Sequence, residues 1–259
     1  MNIGIIYNKK IPNSMNLAEI FAGKIQESKI ISIDNMENDI DIAFVIGGDG
    51  SFLKASRYYS FYDIPILGFN LGRIGYLAQA NSDEIDEVIK KINSKSYKIE
   101  KRLMLKTKEG VALNDIVVKG KNCARTSALD LYINDKLLCS YVADGLIIST
   151  PTGTTAYSLS AGGPVISPKL DCLLIIPICP HTLNTRPVVI PSDEKIIIKS
   201  HDNEKLNVSF DGQVDIEINN EISIEKNNHF ASLLILDKQK NKFYDILKEK
   251  LHWAMQLKK

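Results

Sequence analysis

The sequence predicts an α/β, Rossmann-like amino-terminal domain followed by an all-β, sandwich-like domain, with a carboxy-terminal helix returning to the first domain. Three observations carry this reading. Asp41 to Leu53, DIAFVIGGDGSFL, is an unbroken apolar run ending in glycines, the pattern of a central strand covered on both faces by helices. Strand-like runs on either side of it alternate with stretches of helical spacing. From about Lys98 the pattern changes to short runs of Val, Ile, Leu and Tyr separated by Asn, Asp, Gly and Pro, as in an antiparallel sandwich or closed sheet. The boundary is therefore expected near residues 97–100, with an α/β domain over 1–98, completed by about 237–259, and a β domain over 99–236.

The elements follow in order. Ile3 to Tyr7 reads as the first strand, and Ser14 as the cap of a helix in which Leu17, Ile20, Phe21 and Ile25 recur at helical spacing. Lys29 to Ile33 is a short second strand. The central strand leads into a helix expected from Ser51 to Tyr59, and Ile64 to Phe69 is another apolar strand. Ser82, with two acids after it, opens a helix that puts Ile85, Val88, Ile89 and Ile92 on one stripe. Strands are then expected at Glu100–Lys106, Val111–Lys119, Leu129–Ile133, Leu137–Val142, Gly145–Ser149, Cys172–Ile178, Lys195–Lys199, Leu206–Phe210 and Val214–Ile218, with Asn134-Asp135 among the turns. A helical tail places Phe243, Ile246, Leu247, Leu251, Ala254 and Leu257 on one face.

Composition removes several function classes. The 259 residues carry 32 basic and 31 acidic side chains with no block of one sign, which argues against a nucleic-acid partner. No apolar stretch approaches the roughly 18 residues that span a bilayer, and the amino terminus enters a strand without a leader pattern, so the expectation is a cytoplasmic protein with no membrane partner. Cys123, Cys139, Cys172 and Cys179 lack metal or disulfide spacing, and the four histidines are scattered without a zinc motif.

Four stretches are candidates for chemistry. In GGDG, Gly47, Gly48 and Gly50 allow the main chain to approach a ligand and Asp49 could meet phosphate, metal or hydroxyl, although a tight turn capped by Asp49 explains the tetrapeptide equally well. Asp144 to Pro164, DGLIISTPTGTTAYSLSAGGP, carries more hydroxyls than one helix cap requires, and hydroxyls with free amides at a helix start suit anionic or sugar groups. Asn114-Asp115 is a polar pair in an apolar strand, explained by a ligand or by an edge or bulge. Phe210-Asp211-Gly212-Gln213 reads first as a hairpin turn. Neither G-x-G-x-x-G nor G-x-x-x-x-G-K-[ST] occurs.

Taken together and in this order, GGDG at 47–50, Asn114-Asp115, the long Thr-rich stretch at 144–164, PHTLNTRP at 180–187 and FDGQ at 210–213 resemble the NAD kinases over nearly the whole chain. GGDG alone is shared with lipid kinases, but no basic amphipathic stretch or lipidation signal accompanies it here. The resemblance implies transfer of the γ-phosphoryl group of ATP to the 2′-hydroxyl of the adenosine ribose of NAD, with a divalent cation, Mg2+, as cofactor and a homo-oligomer as the assembly. It implies Asp49 as the group that takes the hydroxyl proton, Gly47 and Gly48 as phosphate-loop glycines, and Gly50 and Lys54 as nucleotide contacts. It makes Tyr76 a neighbour of adenine and Asn114 and Asp115 the pair that holds the dinucleotide. Arg125, Asp144, Thr155, Ala156, Tyr157, Ser158, Leu159, Ser160 and Gln213 match further substrate contacts. Three positions depart from the family pattern: Asp115 for Glu, Ser51 for Thr and Tyr76 for Phe.

Overall fold

The structure, a computed structural model, describes all residues except 72–74, 78–79, 122–125, 183, 237–241 and 252–259. The chain divides into two compact units, Met1–Glu100 with Ser232–Lys259, and Lys101–Ala231. In chain order the first stretch contains β1 (Ile3–Tyr7), α1 (Ser14–Lys24), β2 (Ser28–Ser32), β3 (Ile42–Ile46), α2 (Asp49–Tyr59), β4 (Ile66–Asn70), β5 (Ala80–Asn81), α3 (Ile85–Asn93) and β6 (Tyr97–Arg102). The second contains β7 (Leu105–Lys106), β8 (Val111–Ala112), β9 (Asp115–Gly120), β10 (Ser127–Ile133), β11 (Lys136–Ala143), β12 (Gly145–Ser149), α4 (Tyr157–Ser160), β13 (Cys172–Ile178), β14 (Val188–Pro191), β15 (Ile196–Ser200), β16 (Leu206–Phe210), β17 (Val214–Ile218) and β18 (Glu221–Lys226). The chain ends with β19 (Ala231–Leu236) and α5 (Lys242–Leu251).

In the first unit the strands run in the order β2-β1-β3-β4-β19-β6, with β5 paired to β4. β1, β2, β3 and β4 are mutually parallel where they pair, and β19 is parallel to β4. Every residue of β3 and β4 is buried, because helices cover both faces of the sheet centre. On one face Phe44 and Phe69 pack with Phe21 of α1 and with Ile85, Val88 and Ile92 of α3. The strand order reverses direction between β1 and β3, which places the carboxyl end of β3 at the crevice where open parallel sheets bind ligands.

The second unit is two antiparallel sheets sharing one core, β11-β10-β15-β18-β7-β8 and β14-β13-β12-β9-β16-β17. Leu129, Leu131, Ile196 and Ile198 from the first sheet meet Ile116, Ile148, Ile175 and Val208 from the second. β12 and β13 lack polar alternation because their other face is covered too: Ile147, Leu174 and Ile176 pack with Ile166, in the segment that follows α4.

Several sequence expectations need correction. Ser14 is the first helical residue of α1 and not its cap; Asn13 caps it in a left-handed conformation, and the Ser14 hydroxyl donates to the Asn8 carbonyl at 2.6 Å. α2 begins at Asp49, two residues before the expected start, with Gly48 in the cap position, so Asp49 is the first helical residue and not the cap. The expected strand over Val111–Lys119 is broken at Leu113-Asn114, so the polar pair lies at the entry to β9 and not inside a strand. The helix expected through Tyr157 to Ala161 is a single turn preceded by a 3-10 turn at Thr152–Thr155. β5, β14, β18 and β19 were not expected. β19 matters most, since it moves the return to the first unit ahead of residue 237 and into a strand. Of the expected terminal stripe, Phe243, Leu247 and Leu251 are half-buried; Ala254 and Leu257, and the side chain of Ile246, lie outside the described residues.

Candidate active site

The first unit brings a carboxylate and two amides together at the carboxyl end of β3. Gly47 closes the strand, its N–H donating to the Phe69 carbonyl at 2.9 Å, and the chain turns through Gly48 into α2. Asp49 is half-buried, and its carboxylate accepts the Tyr76 N–H at 2.9 Å and the Leu77 N–H at 3.1 Å, one on each oxygen. Each oxygen keeps a lone pair for a further proton or donor. This approach requires glycine at position 75, where a Cβ would sit 2.1 Å from Asp49 Oδ1. Burial pushes the Tyr76 phenol upward, and the Asp49 charge adds to the effect. Ser51 is buried, and its hydroxyl accepts the Asn8 side-chain amide at 3.0 Å, tying the end of β1 to the start of α2. Gly50 is exposed. Lys54, the expected nucleotide contact, donates to Asp34 at 2.8 Å; this bond, with one from Lys9, brings the Asp34 carboxyl down to about 2.

The second unit gathers the other candidates at one end of the β12-β9-β16 ladder. The Asn114 carbonyl accepts the Thr150 N–H at 2.9 Å and the Ser149 hydroxyl at 3.3 Å, and the Leu113 carbonyl accepts the Thr150 hydroxyl at 2.6 Å. Gly153 must be glycine here, because a Cβ would lie 2.1 Å from the Asn114 carbonyl oxygen. Asp115 is 3% exposed, and burial, with the charge of Asp211 second, pushes its carboxyl up to about 7. Asp211 is also buried, and its carboxylate accepts N–H groups from Leu113, Asn114 and Asp115.

The Thr-rich stretch differs from its sequence reading in a physically specific way. Ser149, Thr150, Thr152 and Thr154 are buried and their hydroxyls largely serve the protein itself. The Thr154 hydroxyl bridges the Pro151 carbonyl and the Ile166 N–H, and Thr152 accepts from Arg102 at 3.4 Å. Of the expected contacts, Thr155, Ala156 and Leu159 are half-buried, while Tyr157 and Ser160 are exposed. Tyr157 borders a groove of about 450 Å³ with Val117, Lys119, Val208 and Ile216. The Ser158 hydroxyl is buried and has no partner among the described residues. Asp144 is an exposed bend residue before β12, and Gln213 is exposed in the turn between β16 and β17. Arg125 lies outside the described residues.

Sequence reasoning missed Gly75 and, within the FDGQ stretch it singled out, the role of Asp211. Gly75 had no local signal, since it acts on a residue 26 positions earlier. Asp211 had a weak one: a hairpin turn at that position needs a residue tolerant of the left-handed region, not a carboxylate.

Residues 3–97 match the family model described as the ATP-NAD kinase N-terminal domain, and residues 113–231 match the ATP-NAD kinase C-terminal domain. An NAD kinase of Clostridium perfringens is 39% identical over 96% of this chain and 98% of its own. An NAD kinase of Magnetococcus marinus is 39% identical over 83% of this chain and 74% of its own. Among solved structures, yeast NADH kinase complexed with NADH superposes with a TM-score of 0.85 at 25% identity, covering 100% of this chain and 90% of that one. An NAD kinase from Archaeoglobus fulgidus in complex with ATP gives a TM-score of 0.81 at 25% identity, covering 96% of this chain and 99% of that one. With both family domains matched in order and a relative aligned nearly end to end, the chain belongs to the NAD kinase family, enzymes that phosphorylate NAD.

Proposed function

We propose that the chain transfers the γ-phosphoryl group of ATP to the 2′-hydroxyl of the adenosine ribose of NAD, giving NADP and ADP, with Asp49 as general base. The observation that carries this reading is the Asp49 carboxylate, fixed by the Tyr76 and Leu77 amides at the carboxyl end of β3 with a lone pair left on each oxygen. A ribose hydroxyl is a weak nucleophile near neutrality. As its oxygen forms the bond to the γ-phosphorus, the bond from that phosphorus to the β,γ-bridging oxygen breaks and ADP departs. The hydroxyl proton passes to Asp49, a contribution of roughly 10²- to 10⁴-fold. Alignment and electrostatic stabilisation of the phosphoryl oxygens supply most of the rest.

Asn114 and Asp115 hold the dinucleotide in this reading, with Asp144, Gln213 and the 155–160 segment as further contacts. Gly47, Gly48, Gly50 and Lys54 serve the phosphates, and Lys54 can exchange Asp34 for a phosphate oxygen. Among the described residues no three His, Cys, Asp or Glu side chains converge on a point, so a divalent cation fits here as one held mainly by substrate phosphates with Asp49 as the protein carboxylate at hand. Such a cation would neutralise charge on the phosphoryl oxygens. No described helix is long and apolar enough to cross a membrane. Leu137, Leu138 and Val142 are exposed on β11, a strand at the edge of its sheet, which supports a homo-oligomer.

The test is Asp49→Asn, assayed for NADP by mass spectrometry with the position of the phosphate fixed by NMR. Turnover should fall at least about 100-fold while the KM for NAD stays within a few-fold. Because Asn offers one acceptor oxygen to two amides, a melting curve accompanies the assay to show that the segment from Gly75 to Leu77 has not simply come apart. Near-normal turnover would remove Asp49 from the role.

A further inference from the structure

Asp211 does more than its turn requires. β16 pairs with β9 as far as Phe210 opposite Ile116, and one residue later the Asp211 N–H donates to the Asp115 carbonyl at 2.9 Å. The chain then reverses through Asp211 and Gly212, with φ of +52° and +62°, and the Gln213 N–H closes the turn on the Phe210 carbonyl at 3.0 Å. Asn-Gly or Gly-Gly would make this hairpin equally well. What only a carboxylate supplies is the next step: Oδ2 accepts the Leu113 N–H at 3.1 Å, and Oδ1 accepts those of Asn114 at 2.7 Å and Asp115 at 3.3 Å. Three successive amides converging on one anion form a nest.

The segment so held is the bend where the chain leaves β8 and enters β9. Its amides are fixed by Asp211, and its carbonyls at Leu113 and Asn114 by Thr150 and Ser149. With its main chain committed on both sides, Asn114 keeps a half-buried side-chain amide that forms no hydrogen bond among the described residues.

We propose that Asp211 is a positioning residue of the dinucleotide site, its carboxylate holding the Leu113–Asp115 main chain so that Asn114 and Asp115 are presented to NAD. This rests on the reading that those two residues bind NAD. The same carboxylate is the charged neighbour that opposes ionisation of Asp115, second to burial itself. Ser149 stands opposite Asp115 on β12, and its hydroxyl and that of Thr150 bond the Asn114 and Leu113 carbonyls.

The experiment compares Asp211→Asn and Asp211→Gly with the parent enzyme, together with Asn114→Ala and Asp115→Asn, measuring kcat, the KM for NAD and its pH dependence. Both substitutions at 211 tolerate the left-handed turn, so a folded protein is available even if one of them melts early. Asp211→Asn leaves the Leu113 N–H facing an amide donor, and Asp211→Gly leaves all three N–H groups without their acceptor. The KM for NAD should rise about 10-fold, with kcat changed less than about threefold. In the parent, the KM for NAD should depend on pH with a midpoint near 7 that is absent in Asp115→Asn. With the charge of Asp211 gone, that midpoint should move to lower pH, a change that loss of packing alone would not produce. An unaltered KM and an unmoved midpoint in both 211 variants, while Asn114→Ala and Asp115→Asn do raise the KM, would overturn the role of Asp211 alone. If Asn114→Ala and Asp115→Asn also leave the KM for NAD unchanged, the reading of the pair as a dinucleotide site fails and the proposal falls with it.

Discussion

Asp115 pays for its position in every pH range where it is charged. Buried beside Asp211, its carboxyl titrates at about 7 against an ordinary value of 3.8. Between those two values the folded chain holds a proton that the unfolded chain has already released, so stability falls as pH rises through this window and is flat on either side of it. The difference corresponds to on the order of 4 kcal/mol between the ends of the window. Asp115→Asn removes the titrating group. Urea denaturation at a series of pH values should therefore show the variant gaining on the parent from pH 4 to pH 7, and parallel profiles would show that Asp115 is not the group responsible. None of this was legible locally. The sequence showed a polar pair among apolar neighbours, but the carboxylate that perturbs it lies 96 residues further along the chain. Asp49 was easier to place, because a buried strand ending in glycines defines its own carboxyl end, whereas the amides that orient it come from residues 27 and 28 positions later.

At the scale of elements, strand reading succeeded where both faces or one face gave a clean pattern. Gly145–Ser149, Cys172–Ile178, Leu206–Phe210 and Val214–Ile218 have the same bounds in the sequence reading and in the structure. It missed β14, Val188–Pro191, an edge strand ending in proline, and also β18, Glu221–Lys226, although Ile222 and Ile224 alternate there with polar residues as cleanly as apolar and acidic residues do in Val214–Ile218. The Thr-rich element was recognised by its hydroxyl content, yet most of those hydroxyls bind its own backbone and neighbours. A turn so dense in internal bonds should be rigid, and Gly153 lies against the Asn114 carbonyl. Gly153→Ala would push a methyl group into the Asn114 carbonyl, which is main chain and cannot swing aside. We expect a loss of about 1–3 kcal/mol in chemical denaturation, accompanied, on the proposed role of Asn114 in holding NAD, by a higher KM for NAD because Asn114 moves with the turn. A variant as stable as the parent would mean that the 152–155 turn yields easily.

At the scale of the molecule, the two units differ in how the chain supplies them. Every residue in the core shared by the sandwich sheets lies between Leu103 and Ile224, so the second unit takes its core from one continuous segment. The first does not. β19 enters its sheet from beyond residue 230 and stands between β4 and β6, with Leu234 and Leu236 in the core beside Phe44 and Phe69. The sequence reading had assigned this apolar run, ASLLIL, to the β domain and looked to the terminal helix for the return. A fragment of residues 1–100 thus lacks an interior strand. Its β4 edge would show unpaired N–H and C=O groups, β6 would have no neighbour in the sheet, and apolar side chains of β4 would meet water. A fragment of residues 101–231 keeps its core and nearly all of its ladders. We expect the second fragment to give dispersed amide NMR signals and a cooperative urea transition, and the first to give neither and to aggregate. Joining residues 231–236 to the first fragment through a flexible linker should restore a transition, since it returns the missing ladder partner and the two leucines. Cooperative unfolding of residues 1–100 by themselves would show that β19 is dispensable to the sheet it completes.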